Sequence, residues 1–521
     1  MDQNRGPDRN EAFPSVLRRP GAAPRPPPPA HPPACFPDLN LDQVVAAITK
    51  GREGYGLSST FHAPLDDPAD VVYRQEVFRD LADTGLREEA LAFSHAMRRV
   101  RERARRADAI RNPLQAQRLG LDGASTYCAA VGDLARALGR RKLVSRGLRD
   151  VAAYLHDHVR SPAFTALRDD VERLERRLDA VTYRLTILED RVRVRPASGQ
   201  HDYGEAVERT FGKFRRRAAT RTVNEPSDRI DMNHVEAIIL DMVARLHPQV
   251  FGELEAFALR HPAYADPVVE LLDREMQFYL AYLEHTQRFE GMGLHFCLPD
   301  VSATDKQVFA HDAFDLALAG KLLHEEGAIV ANDFRLDGEE RILVVTGANQ
   351  GGKTTFARMV GQLHYLAALG CPVPGRAART FLFDEILTHF EREEDLSTLQ
   401  GKLQEELMRL RALLDRTSPR TVVIMNEAFS STATVDALEL GRETLERLLE
   451  VDAIGIYVTF VDELSSFESR IASVTATVDP EDPSRRTFRI VRRPADGHAH
   501  ALAIARSYGL TYDELRLRLR P

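Results

Sequence analysis

The chain has 521 residues, of which 43% are hydrophobic and 28% charged; that is several domains' length, so a small disulfide scaffold is excluded. No run approaches the roughly 18 apolar residues a membrane helix needs, and the polar start MDQNRGPDRN has no apolar signal core, which predicts a cytoplasmic protein without membrane attachment. A formal charge of −8 excludes a chain that coats nucleic acid through overall charge, although a local basic face is compatible with it.

Residues 1–40 carry 11 of the 28 prolines and little apolar surface. They predict a disordered, Pro-rich tail, read either as a linker or as a ligand for a proline-binding protein partner. Residues 41–300 predict a helical core and lever domain. Its first part, to about 160, has arginine-rich faces (Arg98, Arg99, Arg101, Arg103, Arg105, Arg106) that suit solvated helix surfaces. Leu167, Val171, Leu174, Leu178, Val181, Leu185 and Leu188 then alternate spacings of four and three. That is a heptad seam, which predicts one long helix packed on another, in an intramolecular bundle or in a dimeric coiled coil. The Pro/Gly/His-containing stretch 196–203 is expected to end this helix. An abbreviated basic tip follows within 190–230, with Phe211 and Phe214 set between the charges of Arg209 and of five further cations, Lys213, Arg215, Arg216, Arg217 and Arg221. Those five cations are the candidates for DNA phosphate contact through counterion release; a solvated helix is the alternative. Helices are expected to return over 233–289.

From 301 to 521, short β-rich runs alternate with helical patterns, which predicts an α/β domain with a parallel sheet. The run ILVVT (342–346) leads into GANQGGKT (347–354) and then a helical pattern. This matches the P-loop GxxxxGK[ST], in which backbone N–H groups wrap phosphates, a lysine reaches the β and γ oxygens and a hydroxyl meets Mg²⁺. The site residues expected there are Gly347, Asn349, Gly351, Gly352, Lys353, Thr354 and Thr355, with ATP and Mg²⁺ as cofactors. A second apolar run, TVVIM (421–425), ends in Asn426 and Glu427. Hydrolytic P-loop proteins use an acidic pair here, one carboxylate for the magnesium shell and one to orient water. Asn426 keeps a hydrogen-bonding group at the metal but no charge, and Glu427 stands as the base.

These residues resemble the MutS mismatch-repair ATPases, within the ABC-type class. The loop TGANQGGKTT is similar to that family's TGPNMGGKST, Ala331-Asn332-Asp333 to its Asn-containing approach to the first strand, and FDEILT (383–388) to its D-x-I-x-T element. Asp395, Leu396 and Glu406 fall where the family has its D-L…S-T-F-x-x-E segment, with Gly401-Lys402-Leu403 in place of S-T-F. AFSST (428–432) stands for I-G-R-G-T and Val458-Thr459-Phe460 for A-T-H, so phenylalanine replaces the switch histidine. The resemblance implies a helical core followed by a P-loop ATPase, a homodimer in which Ser430, Ser431 and Thr432 reach the partner's ATP, and slow hydrolysis because of Asn426 and Phe460. It also implies a relative without the family's N-terminal mismatch-recognition and connector domains. The function expected is a dimeric ATPase that couples ATP binding and hydrolysis to DNA binding in mismatch repair or related repair or recombination. The alternative is a nucleotide-gated protein-interaction switch with little or no hydrolysis; a small-molecule kinase is disfavoured because no acceptor or lid motif accompanies the loop.

Overall fold

The computed structural model describes residues 15–22, 31–188, 191–197, 232–323, 325, 327–391, 402–430, 432–479, 481 and 485–495. It is a mixed helical and α/β structure that divides into two compact units, one of residues 83–143 and 148–276, the other of residues 1–82, 144–147 and 277–521. These divisions do not coincide with the limits 40/41 and 300/301 expected from the sequence.

The first unit is mainly helical. Helices α1 (Thr84–Ala109) and α2 (Pro113–Gly139) pack along each other. Asp83 and Asn112 begin them, each side chain accepting a backbone N–H, from Leu86 and Gln115 respectively. Leu86, Phe93, Met97 and Val100 form the buried stripe of α1, and Leu121, Tyr127, Val131 and Leu134 that of α2. Burying each such side chain contributes about 1.5–3 kcal/mol. The arginine face is not wholly solvated: Arg101 pairs with the buried Asp273, and Arg103 donates to the Asp122 carbonyl at 2.8 Å.

Helix α3 (Pro162–Asp179), capped by Ser161, carries Leu167, Val171 and Leu174 on its buried side. The three-heptad helix expected over 167–188 is corrected here. The helix stops at Asp179, and the chain enters an antiparallel ribbon of β1 (Tyr183–Leu188) and β2 (Arg191–Pro196). Leu185 and Leu188 fit a heptad by spacing, but YRLTIL and RVRVRP also alternate with period two and are rich in β-branched residues. Cross-strand pairing satisfies their backbone and sets that alternation on two faces. Helices α4 (His234–Leu246) and α5 (Pro248–Arg260) follow, and α6 (Pro267–Glu290) continues past Met276 into the second unit. The basic tip residues Lys213, Arg215, Arg216, Arg217 and Arg221, together with most of the Pro-rich tail, lie outside the described residues.

The second unit is built on a six-stranded sheet. Its strands are β5 (Ile342–Gly347), β7 (Glu385–Phe390), β8 (Thr421–Asn426), β9 (Ile454–Val458), β10 (Ile471–Val478) and β11 (Arg486–Arg492), in the order β7-β8-β9-β5-β10-β11. All pairs are parallel except β10–β11. β8 and β9 are buried along their whole length, as strands covered by helices on both faces must be. Helices α7 (Lys353–Ala368), α8 (Lys402–Arg416) and α9 (Thr434–Glu450) supply the cover. A smaller four-stranded sheet includes β3 (Val308–Ala313), β4 (Asn332–Leu336) and β6 (Ala377–Phe381). The segment after the Pro-rich region packs on α7: Phe36 meets Tyr365 edge-on at 5.0 Å, and Gln362 Nε2 donates to the Leu39 carbonyl at 2.9 Å. Among the described residues, no helix is long and apolar enough to cross a membrane.

Candidate nucleotide site

Parallel register places the loops after β5 and β8 at one edge of the sheet. Asn426 is opposite Val458, and Val458 opposite Val345, so β8 ends level with Val345 in β5, which runs on to Gly347. In open α/β sheets the crevice beyond the carboxyl ends of the strands is where ligands bind.

The β5–α7 loop turns through left-handed backbone at Gly347 (φ 100°), Gln350 (φ 60°) and Gly352 (φ 90°). Glycine is required at 347 for a second reason, because a Cβ there would lie 2.7 Å from the Ala476 carbonyl oxygen. Lys353 opens α7 and is 4% exposed. Its ammonium donates to the Gly347 carbonyl at 2.9 Å and to Asn349 Oδ1 at 3.1 Å, so it spans the loop it would use to hold phosphates. Burial lowers its pKa, while the charges of Glu427 and Asp462 oppose that shift. The free N–H groups of the first turn of α7 face the same crevice end, where the helix dipole favours anions.

A cavity of about 470 Å³ opens at this edge. Of the residues expected from the sequence, it gathers Gly352, Lys353, Thr354, Thr355 and Glu427 in its lining. Gly347, Asn349 and Gly351 belong to the loop behind it, where Gly351 N–H donates to the Ala348 carbonyl at 3.2 Å. Asn426 is 7% exposed at the end of β8, and its Oδ1 has no hydrogen-bond partner among the described residues. That oxygen is buried and Asn426 is not part of the cavity wall, whereas the Thr354 hydroxyl is and would fit the ion. The set is short of one negative charge. Ser430 is described but is not part of the cavity wall; Ser431 lies outside the described residues. Phe460 is 42% exposed beyond β9.

The other wall of the cavity is apolar and was not foreseen. Phe314, Leu318, Leu322, Val330, Met359 and Phe488 form it. Phe488 comes from β11, in a left-handed conformation (φ 56°), with its ring against Gly352: a Cβ on that glycine would be 3.6 Å from Phe488 Cδ1. Asn332 holds it there, donating to the Phe488 carbonyl at 3.1 Å and accepting the Ile490 N–H at 2.7 Å. Arg486, also on β11, donates from Nε to the Asn349 carbonyl at 3.0 Å. No local motif marks Phe488 and Arg486, which reach the loop through the pairing of β10 with β5 and β11. A flat apolar wall beside a phosphate loop suits the base of a nucleotide.

The loop after β8 is strained. Glu427 (φ 54°) and Phe429 (φ 64°) are both left-handed although neither is glycine; each such residue costs of order 1–3 kcal/mol. Glu427 N–H donates to the Val458 carbonyl at 2.9 Å, and Phe429 N–H to Glu406 Oε1 at 2.7 Å.

Residues 343–515 match the family model described as MutS domain V. The chain is 29% identical over 198 residues to the DNA mismatch repair protein MutS of Caldicellulosiruptor bescii, the alignment covering 36% of this chain and 23% of that protein. It is 30% identical over 196 residues to the DNA mismatch repair protein MutS of Chloroflexus aurantiacus, covering 36% and 19%, and 33% identical over 148 residues to that of Oleidesulfovibrio alaskensis, covering 28% and 16%. The chain thus matches about a quarter or less of the length of these relatives.

Proposed function

We propose, since its C-terminal part makes this chain a MutS-family protein, that it is an ATPase which binds ATP with Mg²⁺ at the Lys353 loop, closes as a homodimer through its ATPase domains and couples nucleotide state to DNA. The observation that carries this reading is the cavity in which Lys353, Thr354 and Glu427 meet beside the apolar wall of Phe488. Lys353 and the first N–H groups of α7 would hold the phosphates, and Phe488 with Val330 the base. Thr354 and Asn426 would hold Mg²⁺, which when bound offsets the phosphate charge. Glu427 orients a water; as its oxygen bonds to the γ-phosphorus, the bond to the ADP oxygen breaks and a water proton passes toward the carboxylate. Ser430 and Ser431 are the residues of this loop proposed to meet the partner's nucleotide.

DNA contact is proposed at two places. One is the basic segment Lys213, Arg215, Arg216, Arg217 and Arg221. The other is the β1–β2 ribbon, on which Arg184, Thr186, Arg193 and Arg195 share one face by register. Arg184 stands directly opposite Arg195, and both are exposed. Like charges in that position destabilise a ribbon, so an anion laid along the face is favoured.

Calorimetry and phosphate release test the nucleotide half. Lys353→Ala abolishes ATP uptake, and Glu427→Gln retains uptake but lowers turnover by about 10²–10⁴-fold, the usual weight of a general base. Intact protein that takes up no nucleoside triphosphate overturns the reading. The second reading, an interaction switch that binds without hydrolysing, is favoured by Asn426 and by Phe460 in place of a polar side chain; tight binding with no phosphate release would select it.

A further inference from the structure

Helix α8 sends a carboxylate into the interior just behind the proposed base. Glu406 is 6% exposed, accepts the Phe429 N–H at 2.7 Å and lies 3.4 Å from Nε2 of His389, itself 3% exposed on β7. His389 is one residue from Phe390, which pairs with Asn426 at the end of β8. The three elements α8, β7 and β8 therefore converge on the turn of residues 427–429. Burial acts to raise the Glu406 pKa, but the hydrogen bonds from His389 and Phe429 and the charges of His389 and Arg409 outweigh it and hold the carboxyl below its ordinary value. The acceptor facing Phe429 is thus an ionised one, and its bond is of the stronger, charge-assisted kind.

The turn needs such an anchor. Two non-glycine residues at positive φ, Glu427 and Phe429, persist only where surrounding contacts impose them. The Glu427 N–H is fixed by the Val458 carbonyl, and the Phe429 N–H by Glu406. Between these two points the backbone has little freedom, so the direction of the Glu427 side chain toward the cavity it lines is set by them.

We propose that Glu406, steadied by His389, is a positioning residue for hydrolysis: it locks the strained turn at Phe429 and thereby aims Glu427 at the attacking water, without touching nucleotide. This rests on the hydrolytic reading of the Lys353–Glu427 site and adds to it a residue from a different helix. Loss of the anchor leaves the phosphate loop intact, so nucleotide affinity and turnover separate.

The test uses the full chain and three measurements: ATP affinity by calorimetry, phosphate release, and hydrogen exchange at the Phe429 amide. Glu406→Ala is expected to bind ATP within about threefold of wild type while kcat falls by about a hundredfold, the scale of a small misplacement of a catalytic group. The Phe429 amide exchanges faster in this variant. Glu406→Gln, which keeps an oxygen acceptor, restores slow exchange and most of the turnover. Glu427→Gln loses turnover without altering the exchange, which separates the anchor from the base. If Glu406→Ala does not fold, His389→Leu carries the test, with a smaller loss of kcat in the same direction and ATP affinity unchanged. Wild-type turnover and exchange in the Ala variant, or in His389→Leu where it is used, overturns the proposal; so does a parallel loss of ATP affinity and turnover in the Ala and Gln variants, which marks a merely structural role. Should wild type bind ATP and release no phosphate, the hydrolytic reading fails by itself; amide exchange quickened in Glu406→Ala and not in Glu406→Gln then upholds the anchor, and unchanged exchange overturns it.

Discussion

His285, on α6, is 3% exposed, and neither ring nitrogen has a hydrogen-bond partner among the described residues. Burial, with a smaller contribution from Arg288, lowers its pKa to about 4. His364 on α7 behaves alike: burial takes it to about 4 although its Nδ1 bonds the Val360 carbonyl at 2.8 Å. Both are neutral in the folded state and free to charge at their ordinary value of about 6.5 when unfolded. The unfolded chain therefore binds more protons between those limits, and stability falls as pH drops from about 6.5 through about 4. Thermal melts should show a clear loss between pH 7 and 5. His285→Leu should reduce that slope and raise Tm at neutral pH, since an unpartnered buried polar group costs about 1–3 kcal/mol; an unchanged acid slope refutes this account. At the end of β8, Asn426→Asp adds the missing charge at the buried, unpartnered Oδ1. It should lower the Mg²⁺ concentration needed for ATP binding by roughly tenfold, on the scale of one added charge-assisted contact, as calorimetry across a Mg²⁺ series would read. The sequence revealed that Asn426 departs from the acidic pair. It could not reveal that its oxygen would be left without a partner, nor that two histidines would be sealed inside.

Among the elements, the ribbon departs most from expectation. Its leucines satisfy the heptad spacing begun by α3, and spacing by itself cannot tell a continuing helix from a strand that shares the same apolar positions. The alternation of β2 and its partner in β1 decide in favour of a hairpin, in which the two strands complete each other's backbone hydrogen bonds. Arg195→Glu sets opposite charges face to face and should stabilise the ribbon by about 0.2–1 kcal/mol. The same change should weaken duplex DNA binding and flatten its salt dependence: every phosphate that the protein no longer neutralises takes about 0.9 off the slope of log K against log salt. Equal slopes for variant and wild type would remove the ribbon from the DNA interface. By contrast, β5, the glycine loop and α7 were legible in full, because a parallel core strand, left-handed glycines and a helix start each leave a local signature. Phe488 was not. It joins the cavity through the antiparallel pairing of β11 with β10, about 135 positions from the lysine it neighbours.

For the whole molecule, the nucleotide reading requires linkage. A ligand that binds only the folded chain stabilises it by about 2.7 kcal/mol at a hundred times its Kd, so Mg²⁺–ATP should raise the Tm of wild type and of Glu427→Gln but leave Lys353→Ala unmoved. If nucleotide also bridges two copies, light scattering of Glu427→Gln should show a dimer with ATP and a smaller species without it. A monomer at saturating ATP refutes the bridging half alone. The two compact units fit this scheme in having separate cores, with α6 as the helix continuing from one into the other.

By itself the sequence determined the glycine loop before α7, the asparagine–glutamate end of the second strand and the resemblance they carry, because these depend on residues adjacent in the chain. Tertiary structure alone decided that α3 ends in a ribbon, that Phe488 and Asn332 wall the cavity, and that Glu406 holds the turn bearing Glu427. The last two are contacts between segments distant in the chain, and the ribbon is a short hairpin whose strand pairing competes with the heptad spacing of the same residues; strand register and helix burial decide all three, and a local pattern of residues does not encode them.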